Sequence, residues 1–301
     1  MYSQNNEELN LYNGAGMGDV FSCRTLIYLL GQKYKINFYH RHKDKLLDDM
    51  RDEVNEYTFM LDRFNVYEKS TTYGDINTWI GVKKGSYLQI NNTGRGSAEN
   101  FFYFFKDICD EYNIEFNWDM LYDYLPRIEY EKLSYSDSIK ETMGYLGKKF
   151  KKVIFWSNGD TQSGQSTNFD MSPYIHQAAK EFPTYLHIHT TSIDDQWKEY
   201  NIISSSSIIG KDLDLPSLSY VSTFCNTIIG RDSGPYHYSL TKENIMDENK
   251  TFICFTFYPD SGRWYSGGKA KFYLSDGRSP EMIWYQIKNI YKKWKKNYGG
   301  F

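Results

Sequence analysis

The chain has 301 residues, a formal net charge of −3, 40% apolar residues and an aromatic share of 18% that includes 28 Tyr and 19 Phe. That length suits two domains of roughly 150 residues, and such a composition excludes a disordered polymer and sends many amphipathic rings into cores or a cleft. The acidic balance excludes a protein whose main task is coating nucleic acid.

From the amino terminus, Leu9-Asn10-Leu11-Tyr12-Asn13 reads as a strand ending in Gly14-Ala15-Gly16-Met17-Gly18-Asp19-Val20. Phe21 to Leu30 then reads as a helix and Lys35 to His40 as a second strand, which makes a β-α-β start. Apolar spacing through Leu46, Leu47, Met50, Val54, Tyr57 and Leu61 predicts a helix over 43–64. Strand candidates over 78–82 and 87–90 precede an aromatic-faced helix over 97–112, with Ser97 as its cap.

The stretch 132–152 is rich in Ser, Gly and Lys and leads into a strong strand, Val153-Ile154-Phe155-Trp156. It is expected to carry the boundary between an amino-terminal domain, 1–148, and a second domain, 149–280. The second half reads as that strand, a polar loop over 157–168, a helix over 172–182 and strands over 185–189 and 201–204. A helix from Leu215, the strand Thr227-Ile228-Ile229-Gly230, a turn, a helix-compatible stretch and a strand over 251–257 complete a doubly wound pattern. Over 281–301, Ile283, Trp284, Ile287, Ile290, Tyr291 and Trp294 form one helical stripe bordered by lysines. Such a helix packs on the protein with a basic face in solvent, and its Trp and Lys residues also suit peripheral contact with anionic headgroups.

The turn itself is Asp232-Ser233-Gly234-Pro235-Tyr236-His237. Asp232 and Ser233 can cap a helix, Gly234 lets backbone approach a ligand, Pro235 suits an early helical position, and the exposed N–H groups favour a phosphate. The same composition also makes ordinary turns. The glycine-rich start departs from the dinucleotide fingerprint, because Asp19 stands where its third glycine would be and a carboxylate repels a pyrophosphate. Gly16, Met17 and Gly18 leave room for a substrate, and Asp19 is placed either as a helix cap or as a general base.

Other polar groups are placed with less to define them. Ser157, Asn158, Gln162, Ser163, Gln165 and Ser166 lie in the polar loop and are candidates for phosphate or sugar hydroxyls. Asp212-Leu213-Asp214 has the D-x-D form of metal-dependent transferases but suits a loop near a donor's ribose. His40 with His42, and His187 with His189, alternate along strands without the acidic or cysteine partners a metal site would need. Cys23, Cys109, Cys225 and Cys254 sit singly in apolar segments, which predicts buried free thiols.

With both turns in hand, the chain resembles glycosyltransferase family 9, the ADP-heptose:lipopolysaccharide heptosyltransferases and their relatives. The resemblance runs through Gly18-Asp19-Val20, Leu218 to Asn226, Ile228-Ile229-Gly230, Asp232 to His237, Phe255 to Pro259 and Arg263-Trp264. It implies a GT-B architecture of two Rossmann-like domains with the active site between them. It implies inverting, metal-independent transfer of a sugar from a nucleotide-sugar, with Asp19 as base, Ser233, Gly234 and His237 holding the diphosphate and Asp232 ordering the turn. No cofactor beyond that co-substrate is implied. Where the family often carries a Lys or Arg after the first strand of the second domain, this chain has only the neutral donors of its polar loop.

The expected acceptor is a glycan, a lipid-linked sugar or a protein, and no nucleic acid is expected. The alternatives are a nucleotide- or glycan-binding protein without turnover and a dinucleotide-dependent oxidoreductase or epimerase. The amino-terminal residues lack the basic start and apolar core of a secretory signal, and no apolar run reaches membrane-spanning length. A cytoplasmic protein is expected, with room for peripheral contact at the inner face of the membrane.

Overall fold

The computed structural model describes residues 7–58, 76–78, 105–106, 108–117, 123–162, 164–193, 200–258, 265, 267–275, 284–285, 287–289 and 291–292. β1 (Glu8–Asn13), β2 (Lys35–His40), β3 (Val54–Tyr57) and β4 (Ile76–Asn77) form a parallel sheet in the order β3-β2-β1-β4. β5 (Lys152–Ser157), β6 (Tyr185–His189), β7 (Ile202–Ser204), β8 (Thr227–Arg231), β9 (Thr251–Phe255) and β10 (Lys271–Ser275) form a second parallel sheet in the order β10-β9-β8-β5-β6-β7.

Every residue of β8 and β9 is buried, as a parallel sheet covered on both faces requires. Successive side chains leave a strand on opposite faces. Val153, Phe155 and Ile228 therefore join one core cluster while Ile154, Trp156 and Ile229 join another.

Helices lying wholly within the described residues are α1 (Met17–Ser22), α2 (Arg24–Gly31), α3 (Ser136–Lys149), α4 (Ser172–Glu181), α5 (Ser205–Ile209), α6 (Leu215–Thr223), α7 (Gly234–Tyr238) and α8 (Lys242–Ile245). α3, α5 and α6 contribute to the first cluster. α4 covers the second, together with the buried Ile287 and Tyr291. α3 fills the stretch expected to hold the domain boundary, and it packs against α5 and α6.

The helix expected over 43–64 is not formed in its described part, 43–58. A 3-10 turn at Asp48–Met50 and the strand β3 stand there instead. Glu56 accepts the N–H groups of Leu46 at 2.5 Å and Leu47 at 3.2 Å, and buried Asp49 pairs with Arg24 of α2. These long-range partners outweigh the local apolar period. The helix read as Phe21 to Leu30 is divided at Cys23 into α1 and α2. Near 78–82, the strand is Ile76–Asn77 and Thr78 begins a turn, while 79–90 and Ser97 lie outside the described residues.

Topology positions the site. In the first sheet the chain runs from β1 outward through β2 to β3, and β4 lies on the other side of β1. In the second, β5 leads to β6 and β7 on one side and β8 leads to β9 and β10 on the other. Ligands of open α/β sheets bind outside the carboxyl ends of strands at such reversals. The two motif turns follow β1 and β8, so each stands at one of these switch points.

Candidate functional site

The turn after β1 is set by buried Asn13, whose Oδ1 accepts the Ala15 N–H at 2.9 Å and whose Nδ2 donates to Thr78 Oγ1 at 3.0 Å. The Ala15 carbonyl accepts Nε of Arg41 at 3.0 Å and meets Nε2 of His42 at 3.0 Å. The chain then enters α1 at Gly16, whose N–H donates to Asp19 Oδ2 at 2.7 Å. Asp19 thus sits in the first helical turn, where free N–H groups attract negative charge. Its side chain remains partly exposed. Burial nevertheless pushes its carboxyl from 3.8 up to about 6, against the opposing pull of His237, the Gly16 N–H and Arg41, with Asp232 adding to the rise.

The turn after β8 is built on a fully buried carboxylate. Asp232 Oδ1 bonds Nε2 of His237, and Oδ2 accepts the Thr256 hydroxyl at 2.8 Å. Burial alone would make His237 a weaker base, but the Asp232 and Asp19 charges more than reverse this and raise its pKa above the ordinary value. Ser233 begins α7 without a side-chain capping bond, and its Oγ lies 3.3 Å from Oγ of Ser157 at the end of β5. Pro235 occupies the first helical turn. Tyr236 and Tyr238 are buried, and the Tyr238 ring packs on Phe21 of α1 with centroids 4.8 Å apart.

Glycine sets how closely the two turns approach. A Cβ on Gly18 would stand 3.1 Å from Cγ of His237, and one on Gly234 would stand 3.4 Å from Cβ of Met17. Gly16, Met17, Gly18 and Asp19 of one sheet therefore adjoin Asp232, Ser233, Gly234 and His237 of the other. An imidazolium beside a carboxylate of raised pKa is suited to proton transfer next to a developing anion.

The polar loop after β5 divides. Ser157 belongs to the cluster just described, whereas Asn158 ties the loop to the end of β6. Its Oδ1 accepts the N–H groups of Thr190 at 2.9 Å and Thr191 at 3.0 Å, and its Nδ2 donates to Thr191 O at 3.0 Å. The Gln165 carbonyl accepts the Phe257 N–H at 2.8 Å, Ser166 is buried, and Gln162 is exposed. Ser163, Pro259, Arg263 and Trp264 lie outside the described residues. Asp214 caps α6 by accepting the Ser217 N–H at 3.0 Å, while Asp212 is exposed.

The histidine pairs enter other networks. His40 Nε2 donates to Glu56 at 2.8 Å while its Nδ1 accepts the His42 N–H. His187 accepts Nε1 of Trp156 at 3.1 Å, and His189 lies 2.8 Å from Thr191 O. All four cysteines are buried and free. The sequence alone marks neither Arg41 nor Arg231, and it shows Thr256 only as part of the segment Phe255 to Pro259. The visible signal for Arg231 is a cation closing a strand that is otherwise Thr-Ile-Ile-Gly.

No protein-family model matches the chain, and no curated protein matches its sequence. Among solved structures it is similar to a glycosyl transferase family 9 protein from Veillonella parvula DSM 2008, with a TM-score of 0.54, 13% identity, and coverage of 97% of this chain and 91% of that one. It is similar as well to the E. coli heptosyltransferase WaaC with ADP, with a TM-score of 0.53, 8% identity, and coverage of 96% and 98%. At these identities the likeness shows the fold. The chain has the GT-B architecture of two Rossmann-like parallel α/β units.

Proposed function

We propose that the protein transfers a sugar from a nucleotide-sugar to an acceptor hydroxyl, with inversion and without a metal. The observation that carries this reading is the apposition of Asp19, at the switch point of one sheet, with the Asp232–His237 pair at the switch point of the other. A GT-B protein of this fold, WaaC, was solved with ADP, which supports a nucleoside diphosphate as the ligand.

In this reading the ionised Asp19 accepts the proton of the acceptor hydroxyl. The acceptor oxygen bonds to the anomeric carbon as the bond from that carbon to the donor diphosphate breaks. The charge left on the diphosphate is met by the His237 imidazolium, the hydroxyls of Ser157 and Ser233 and the backbone at Gly234. Asp232, held by Thr256, keeps His237 charged and oriented. The acceptor is a glycan, a lipid-linked sugar or a protein.

Asp19→Asn and Asp19→Ala are expected to keep donor affinity while transfer falls by about 10²- to 10⁴-fold, the usual contribution of a general base. Transfer that survived both changes would remove the assigned base, and transfer abolished by a chelator would remove the metal-independent mechanism. A thermal-shift panel of nucleoside diphosphates identifies the donor nucleotide, because at a fixed concentration L the ligand that binds the native state most tightly stabilises it most, by RT ln(1 + L/Kd). Tight binding of NAD(H) at the Gly14–Gly18 turn would instead favour the oxidoreductase or epimerase alternative.

A further inference from the structure

Arg231 closes β8 one residue ahead of Asp232 and is 1% exposed. Its Nε donates to Thr167 O at 3.2 Å, one terminal nitrogen donates to Asn158 O at 2.9 Å and Gly159 O at 2.8 Å, and the other donates to Phe169 O. The guanidinium carbon lies 4.7 Å from the centre of the Phe169 ring. The carboxylates that act on this cation belong to Asp160, 3.6 Å away, and Asp170, and both residues are exposed. A permanent charge is thus buried on backbone carbonyls, with its counter-ions left in water. Burying a charge is costly, and an apolar residue of similar volume often fills such a place with no loss of stability. Packing alone does not account for an arginine here.

The carbonyl and N–H of one trans peptide point in opposite directions. Drawing the Asn158 and Gly159 carbonyls onto the guanidinium therefore turns the N–H groups of Gly159 and Asp160 away from it. Neither N–H has a hydrogen-bond partner among the described residues. Successive free N–H groups make a concave receptor for an anion. They follow directly on Ser157, whose hydroxyl already meets that of Ser233 at the β5/β8 switch point.

We propose that Arg231 is the positioning residue of the donor-phosphate receptor: it turns the peptides from Asn158 to Asp160 so that the Gly159 and Asp160 N–H groups receive the diphosphate, and it places a positive charge beneath that anion. The loop thereby receives from below the charge that none of its own side chains carries. The inference rests on the nucleotide-sugar reading and adds to it a defined pair of backbone ligands.

The test uses the full chain and inorganic pyrophosphate. In the wild-type protein, amide NMR is expected to show the Gly159 and Asp160 resonances shifting together with those of the 232–237 turn as pyrophosphate is added. Response of the turn without the loop would overturn this inference and leave the proposed function standing. No response from either would overturn both. Arg231→Lys keeps the charge and loses the fork, whereas Arg231→Gln loses both. In folded variants the donor KM is expected to rise about tenfold for Lys and further for Gln while kcat changes by less than about threefold, the pattern of lost uniform binding. An unchanged KM alongside a lowered melting temperature would make Arg231 a structural peg and sink the proposal.

Discussion

Asp19 holds its proton to about pH 6, and the sign of that shift reaches both stability and rate. Between about pH 4 and 6 the native carboxyl stays protonated where the unfolded one has ionised, so stability falls as pH rises through that window. His237 is also raised, so its contribution is complete below about 6.5 and is lost as pH climbs through its higher folded value. Melting temperature against pH is expected to decline across both windows, and Asp19→Asn is expected to flatten the part below pH 6. The rate makes the opposite demand on Asp19, since a base must be ionised. kcat/KM is expected to rise through about pH 6 and to fall once His237 loses its proton, a bell whose limbs belong to the coupled pair. Gly18 tests the geometry between them. Gly18→Ala sets a methyl 3.1 Å from the His237 ring, so transfer is expected to fall at least about tenfold, the cost of a small displacement at a reacting centre. Calorimetry is expected to show little loss of stability beside it.

The strands were the most legible elements, and the reason is their burial. β5 and β8 are built on short apolar runs covered on both faces, while β2 and β6 interleave apolar side chains with Asn37, His40, His187 and His189, so composition and period mark them. The segment after β2 misled for a physical reason. Leu46, Leu47, Met50 and Val54 have helical spacing, but Glu56 takes the Leu46 and Leu47 N–H groups, Arg24 takes the Leu46 carbonyl and Val54 joins the sheet beside Ile36, and no local pattern announces a partner across the fold. Asp49→Ala leaves Arg24 as a fully buried cation without its carboxylate, and urea unfolding is expected to show a loss of about 3–5 kcal/mol. The site divides in the same way. Asp19 and the 232–237 turn were legible because glycine, acid and helix start fall together in sequence. Arg231 was not, because its partners are carbonyls 62 to 73 residues away. Gly230 was read only as part of a strand, yet a Cβ there would stand 2.5 Å from Cβ of Ser157 and 2.9 Å from its carbonyl oxygen. Gly230→Ala is expected to cost about 1–3 kcal/mol, measured by the same unfolding, as overpacking between adjoining strands.

At the scale of the whole molecule, two parallel sheets present their switch points to one another, and α1 packs against α7 where they meet. Each half brings what the other lacks. In the proposed transfer the first would supply the carboxylate that takes a proton, and the second the histidine, hydroxyls and backbone groups that meet the diphosphate. The described part of the carboxy-terminal segment packs on the second sheet through Ile287 and Tyr291, and Lys288 pairs with Glu181 at 3.3 Å. Among the described residues no helix is long and apolar enough to cross a membrane. A nucleotide-sugar bound at the β5/β8 switch point and facing Asp19 is the centre of the account, and a crystal structure with the best-stabilising nucleoside diphosphate tests it most directly. The terminal phosphate is expected within hydrogen-bonding distance of Ser233 and His237, on the side of the turn that faces Asp19. A diphosphate seated instead along the Gly14–Gly18 turn, or away from both turns, would contradict it.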